Sequence, residues 1–196
     1  MTEFAGQPLG QPYKKVALIG LGLIASSLFW AMRRAGMDAT VSGYARSQST
    51  RDTARRLGLC DLVCDSAIDA VKDADLVILC VPVGVMGAVA ADIAPHLAAG
   101  ATVTDVGSVK KSVIAHVAPH IPAGVDFVPA HPMAGTEHSG PDSGFASLFD
   151  NRWCLIVPGE AREEAVTRLE SFWQALVANT ERMEVHHHDQ VCAVVS

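Results

Sequence analysis

Residues 15–25 read Lys-Val-Ala-Leu-Ile-Gly-Leu-Gly-Leu-Ile-Ala, and the segment after them runs Ser-Ser-Leu-Phe-Trp-Ala-Met-Arg-Arg-Ala to Gly36. A short apolar run ends at a glycine, and apolar residues then recur at helical spacing until another glycine stops them. That is strand, tight turn, helix. The small residues of the turn, in a G-x-G-x-x-A arrangement, each meet a steric demand. Gly20 permits the turn, Gly22 leaves room beside the backbone, and Ala25 lets helix and strand pack closely. With Leu23 and Ile24 opening the helix, its N–H groups and the positive end of its dipole converge on one spot. The pyrophosphate of a dinucleotide fits there, so Gly20, Gly22, Leu23, Ile24 and Ala25 are expected to bind one.

The same alternation continues outward. Residues 40–45 (TVSGYA) read as a strand, and 47–58 as an amphipathic helix capped by Ser47 or Ser49. Residues 59–65 form a short extended piece. Residues 75–82 (DLVILCVP) are apolar at nearly every position, which implies a strand buried on both faces of a parallel sheet. Helix 83–100, strand 101–107 and helix 108–121 follow. Residues 126–132 (DFVPAHP) read as a sixth strand, running into a Gly/Ser/Pro-rich loop at 133–144. Then come a strand at 152–158, a helix at 160–178, an extended stretch at 180–185 and the first turns of another helix at 186–196. Strand and helix in strict succession predict a doubly wound, mostly parallel α/β sheet of the Rossmann type. Residues 1–13 look like a flexible lead-in, residues 14–185 like the dinucleotide-binding domain, and residues 186–196 like a linker helix toward a further domain.

Composition removes several function classes. The 15 Lys and Arg against 21 Asp and Glu leave a net charge of −6 with no basic stripe, which argues against a nucleic-acid partner. Apolar residues make up 49% and charged residues only 18%, too apolar for a disordered chain. Mean hydropathy is +0.26, yet the longest uncharged run, residues 16–32, is too short and too rich in Gly and Ser for a membrane span. Five cysteines without a C-x-x-C pair read as reduced thiols. Cys60 and Cys64 lack a second ligand pair, and the adjacent His186, His187 and His188 point in different directions, so no metal is expected. A soluble cytoplasmic protein is the expectation.

Cofactor choice turns on the end of the second strand, where an NAD site usually places a carboxylate for the adenosine ribose. Here stand Ala45, Arg46 and Ser47, with Arg51 nearby and no acid. A 2′-phosphate suits these groups, so NADP is favoured over NAD. Arg46 stacked on adenine would serve either cofactor. Val81 and Pro82, after the fourth strand, complete the expected cofactor set.

Two further segments lie past the carboxyl ends of later strands: Asp105-Val106-Gly107-Ser108-Val109-Lys110, and His131-Pro132-Met133-Ala134-Gly135-Thr136-Glu137. Together with the glycine turn and residues 76–83, they resemble the prephenate and arogenate dehydrogenase family of tyrosine biosynthesis, over nearly the whole chain from Lys14. One departure is Ala25-Ser26, where that family commonly has two glycines. The resemblance implies oxidative decarboxylation of a cyclohexadienol, with hydride transfer to NAD(P) and aromatisation of the ring. It assigns His131 as general base, Ser108 as the hydroxyl that holds His131 and substrate in register, and Glu137 with Thr136 and Gly135 as substrate-pocket residues. An imidazole titrating near neutrality suits the base. Ser108 is also expected to cap the helix that follows it, and Lys110 reads equally as structural or functional.

The resemblance further implies an all-helical domain beyond Ser196 that dimerises and supplies a histidine and an arginine to the substrate. Without it, the chain is expected to bind nicotinamide cofactor but turn over prephenate or arogenate poorly, and to leave apolar faces exposed. Two other readings stay open. One is another β-hydroxyacid-type dehydrogenase, which would use a lysine on a later helix. The other is a cofactor-binding module without turnover.

Overall fold

The computed structural model describes residues 12–195, with the chain order β1 (Lys15–Ile19), α1 (Leu23–Arg34), β2 (Thr40–Tyr44), α2 (Gln48–Leu57), β3 (Leu62–Val63), α3 (Ala67–Val71), β4 (Leu76–Leu79), α4 (Val83–Ile93), β5 (Thr102–Asp105), α5 (Lys110–Val117), β6 (Asp126–Phe127), β7 (Ala130–Pro132), β8 (Trp153–Ile156), α6 (Glu163–Ala175), β9 (Asn179–Arg182) and α7 (Val185–Val195). The flexibility expected of residues 1–11 lies outside the described residues. Tyr13, at the end of that lead-in, is buried, its ring edge-on to Phe172.

Six strands form one parallel sheet in the order β3-β2-β1-β4-β5-β6. Strand order reverses between β1 and β4, which opens a crevice at their carboxyl ends. Alternation along the strands explains burial on both faces. Val16, Leu18, Leu76 and Ile78 face one core with α1 and α6, while Ala17, Ile19, Val77 and Leu79 face the other with α4 and α5. Each fully buried Leu or Ile contributes about 1.5–3 kcal/mol, so the central strands β1 and β4 anchor both layers.

The structure departs from the sequence reading in three places. Residues 126–132 are not one strand. Pro129 lacks an N–H, and the chain leaves the main sheet there: Val128 N–H still donates to Val103, whereas Val157 N–H donates to the Pro129 carbonyl. Residues 130–132 then join a second, three-stranded sheet, β7-β8-β9, antiparallel to β8. Second, a short helix, α3, follows the piece at 59–65; Ser66 caps it by accepting from Asp69 N–H at 3.0 Å. Third, helices α4 and α5 stop short of their expected ends because Pro95 and Pro119 turn each into a 3-10 segment. Helix α7 packs on α5 with His188 and Cys192 buried.

Candidate functional site

The crevice at the β1/β4 reversal is a cavity of about 900 Å3 lined by Gly20, Gly22, Ala45, Arg46, Ser47, Val81 and Pro82, seven of the expected cofactor residues. Leu23, Ile24 and Ala25 lie behind the turn rather than in the cavity wall, and Ala25 is fully buried. Gly20 has φ +99°, and a Cβ there would meet the Cys80 carbonyl oxygen at 2.6 Å. At Gly22 a Cβ would meet nothing within 4 Å, so the space beside that backbone opens to the crevice. Helix α1 starts at this point with no side-chain cap and no acid in its first turn, leaving its N–H groups to an anion. Ser26, at the departure noted above, turns inward and donates to the Gly22 carbonyl at 2.9 Å. These features fit a dinucleotide. Gly20→Ala forces a side chain into both the left-handed region and the β4 backbone, and is expected to cost about 1–3 kcal/mol or more in a urea unfolding curve.

At the far end of the crevice, Ser47 caps α2 as expected. Arg51 is spoken for: its Nη1 donates to the Ala45 carbonyl at 2.6 Å and the Arg46 carbonyl at 3.0 Å, holding the turn. Among the described residues, the exposed Arg46 side chain has no ion-pair or hydrogen-bond partner. It is a cation facing an open groove.

His131 and Ser108 do not line this cavity. They stand next door, after the neighbouring strand β5 and in the second sheet. Asp105, at the end of β5, is fully buried and organises the region. It ion-pairs with Lys110, also fully buried, and accepts from Gly107 N–H at 2.7 Å and Ala130 N–H at 3.3 Å. That last bond ties β5 to β7, the strand carrying His131. Burial raises the Asp105 carboxyl and lowers the Lys110 ammonium, while their contact opposes both shifts. Lys110 is thus a structural partner as well as a nearby cation.

His131 projects from β7 opposite to the buried Ala130 and Pro132, toward α7. Its Nδ1 lies 3.0 Å from His188 Nε2, and His188 Nδ1 lies 2.8 Å from Asp189 Oδ1. An ionised carboxylate only accepts, so His188 Nδ1 carries a proton; with that ring neutral, Nε2 accepts and His131 Nδ1 donates. The one lone pair left on His131 is therefore at Nε2. Burial, the Lys110 charge and His188 pull the His131 imidazolium down to about 4, which keeps the ring neutral near pH 7. Burial alone would raise Asp189, but bonds from His188 and from the Lys111 and Lys110 N–H groups hold it below the usual carboxylate range.

Those backbone bonds correct one expectation. Ser108 is not the cap of α5: the cap position is Val109, without a side-chain bond, and Ser108 is exposed. Asp189 on α7 caps α5 instead, accepting from Lys110 N–H at 2.9 Å and Lys111 N–H at 3.0 Å. Gly135, Thr136 and Glu137 lie on an exposed loop after β7, where Thr136 Oγ1 accepts from His138 N–H at 3.1 Å. His188, Asp189 and Cys192 were missed. The i, i+4 spacing of His188 and Cys192 on an end segment was the available signal.

A glycine turn that opens on a crevice at the strand-order reversal of a parallel sheet defines a dinucleotide-binding fold. The family described as prephenate dehydrogenase, nucleotide-binding domain, matches residues 29–181. The chain belongs to that family. It is 44% identical over 185 residues to a cyclohexadienyl dehydrogenase of Zymomonas mobilis, covering 94% of this chain and 63% of that protein. It is 30% identical over 190 residues to a prephenate dehydrogenase of Bacillus subtilis, covering 96% and 51%. Among solved structures, prephenate dehydrogenase of Aquifex aeolicus with hydroxyphenyl propionate and NAD+ superposes with a TM-score of 0.86 at 28% identity, covering 93% of this chain and 64% of that one. Arogenate dehydrogenase of Synechocystis gives 0.85 at 31% identity, covering 93% and 64%. The chain thus spans about half to two thirds of these relatives. Among the described residues, no helix is long and apolar enough to cross a membrane.

Proposed function

We propose that this chain supplies the cofactor site and the catalytic base for oxidative decarboxylation of prephenate or arogenate. In this reading residues 14–185 are the dinucleotide-binding domain, and 186–196 begin a helix leading to the family's dimerising helical domain. The observation that carries the reading is the chain Asp189–His188–His131, which leaves a neutral acceptor nitrogen beside a dinucleotide crevice.

Bound NAD(P)+ supplies a hydride acceptor. His131 Nε2 takes the proton of the ring 4-hydroxyl as the hydride leaves the same carbon, so that carbon becomes a carbonyl. The carboxylate then departs as carbon dioxide, its bonding pair fills the ring, and the oxygen regains the proton from His131. Aromatisation makes the step downhill. His188 and Asp189 are positioning residues: they fix the tautomer and turn of the His131 ring. Ser108, exposed in the loop between β5 and α5, is assigned to the substrate hydroxyl, and Glu137, Thr136 and Gly135 to the substrate's side chain. The absence of an acid after β2 and an Arg46 side chain without a partner among the described residues favour NADP over NAD. Supporting the whole are the family membership and the relative that binds NAD+ and hydroxyphenyl propionate.

The test is reduced-cofactor absorbance after adding prephenate or arogenate with each cofactor. An aromatic product formed with the absorbance, even slowly, supports the reading; cofactor binding without either product, in a protein that also carries the helical domain, overturns it. Arg46→Ala is expected to weaken NADP binding about tenfold, the value of one exposed charge-assisted contact of about 1.4 kcal/mol, and to leave NAD binding in place. Equal losses for both cofactors would assign Arg46 to adenine stacking.

A further inference from the structure

We propose that His131, His188 and Cys192 form a site for a borderline-soft divalent cation, with Zn2+ the best chemical match, and that the ion switches the base off. The inference rests on the base assigned above but reaches beyond it. Sequence reading dismissed the His186–His188 triplet as a shared ligand set, and the fold agrees on the reason: of the three, only His188 is buried. The trio that does converge draws one histidine from that triplet, a cysteine one turn later and the histidine of β7.

Three observations support it. The donor atoms are spaced for tetrahedral coordination. His131 Nδ1 lies 3.0 Å from His188 Nε2, and Cys192 Sγ lies 3.6 Å from each of them. A tetrahedral zinc with Zn–N of about 2.05 Å and Zn–S of about 2.3 Å holds its donors about 3.4 Å (N···N) and about 3.6 Å (N···S) apart. The three ligands also come from two rigid elements, with His188 and Cys192 at i, i+4 on one face of α7. Finally, the outer shell is present. Asp189 accepts from His188 Nδ1, the carboxylate–histidine–metal arrangement that orients a ligand ring and raises its basicity. Charges close as well: the Cys192 thiolate and the Asp189 carboxylate balance a dication, and the neighbouring Lys110 is already neutralised by Asp105.

Coordination releases the Cys192 thiol proton to solvent and takes the lone pair of His131 Nδ1, so the proton of that ring moves to Nε2. Nε2 then donates and no longer accepts, and the substrate hydroxyl has no base. Three protein ligands leave a fourth position for water.

The test is titration of the reduced, metal-stripped chain with Co2+, then Zn2+, without substrate. The expected result is visible d–d absorption of four-coordinate cobalt with a near-ultraviolet thiolate-to-cobalt band, both erased by stoichiometric Zn2+. Cys192→Ser is expected to remove the thiolate band, Asp189→Asn to weaken Zn2+ about 10- to 100-fold, and Cys64→Ser to change nothing. Retained NAD(P) binding by Cys192→Ser shows that this variant is folded. A wild-type chain without the thiolate band, or a band that survives Cys192→Ser, overturns the proposal. Because binding is read without turnover, a protein that binds cobalt here but, metal-stripped and carrying the helical domain, never reduces cofactor sinks the dehydrogenase reading and leaves the metal site standing.

Discussion

His131→Asn is expected to lower kcat by about 10²- to 10⁴-fold, the usual contribution of a positioned general base, with NAD(P) affinity unchanged. Asparagine keeps a hydrogen-bonding side chain of similar reach but offers no nitrogen lone pair to a proton. The half-exposed ring does not line the cofactor cavity, so binding and chemistry separate cleanly at this position. Steady-state rates and a cofactor titration of the same preparation check it. A loss of less than tenfold in kcat would place the proton acceptor elsewhere, and an equal loss in cofactor affinity would make the effect structural.

Asp105→Asn has the largest expected effect on stability. Removing one member of a fully buried ion pair leaves an uncompensated charge, here the Lys110 ammonium, at a cost of about 3–5 kcal/mol. Asp105 also holds Gly107 and Ala130 N–H groups, so the loop after β5 and the start of β7 loosen together. Pairing Asp105→Asn with Lys110→Met is expected to recover part of the loss, because no buried charge remains. Urea unfolding of the two single variants and the double variant measures the coupling. A shift within about 1 kcal/mol for Asp105→Asn would mean that the pair is not buried in solution.

What the sequence revealed and what it hid divide along contact range. The glycine turn, the apolar strands β1 and β4 and the cap at Ser47 depend on neighbours a few residues away, and each was legible. The cap of α5 was not. A serine after glycine is a sound local candidate, but Asp189, far along the chain, takes both N–H groups. The split of residues 126–132 was visible only as Pro129, a residue that forbids a ladder bond without saying which sheet comes next. His188 and Cys192 were hidden for a related reason. Their helical spacing is local, whereas their convergence on His131 requires α7 to dock on α5 and β7 to leave the main sheet.

The most direct measurement is a crystal structure of the protein with oxidised cofactor bound. The account predicts the pyrophosphate on the N-terminus of α1 beside Gly22, and the nicotinamide extending past Val81 toward β7. Its C4 should then lie close enough to His131 Nε2 for one substrate carbon and its hydroxyl to bridge them. A nicotinamide on the opposite side of the sheet edge, or a His131 ring whose Nε2 is turned into the protein, would contradict it.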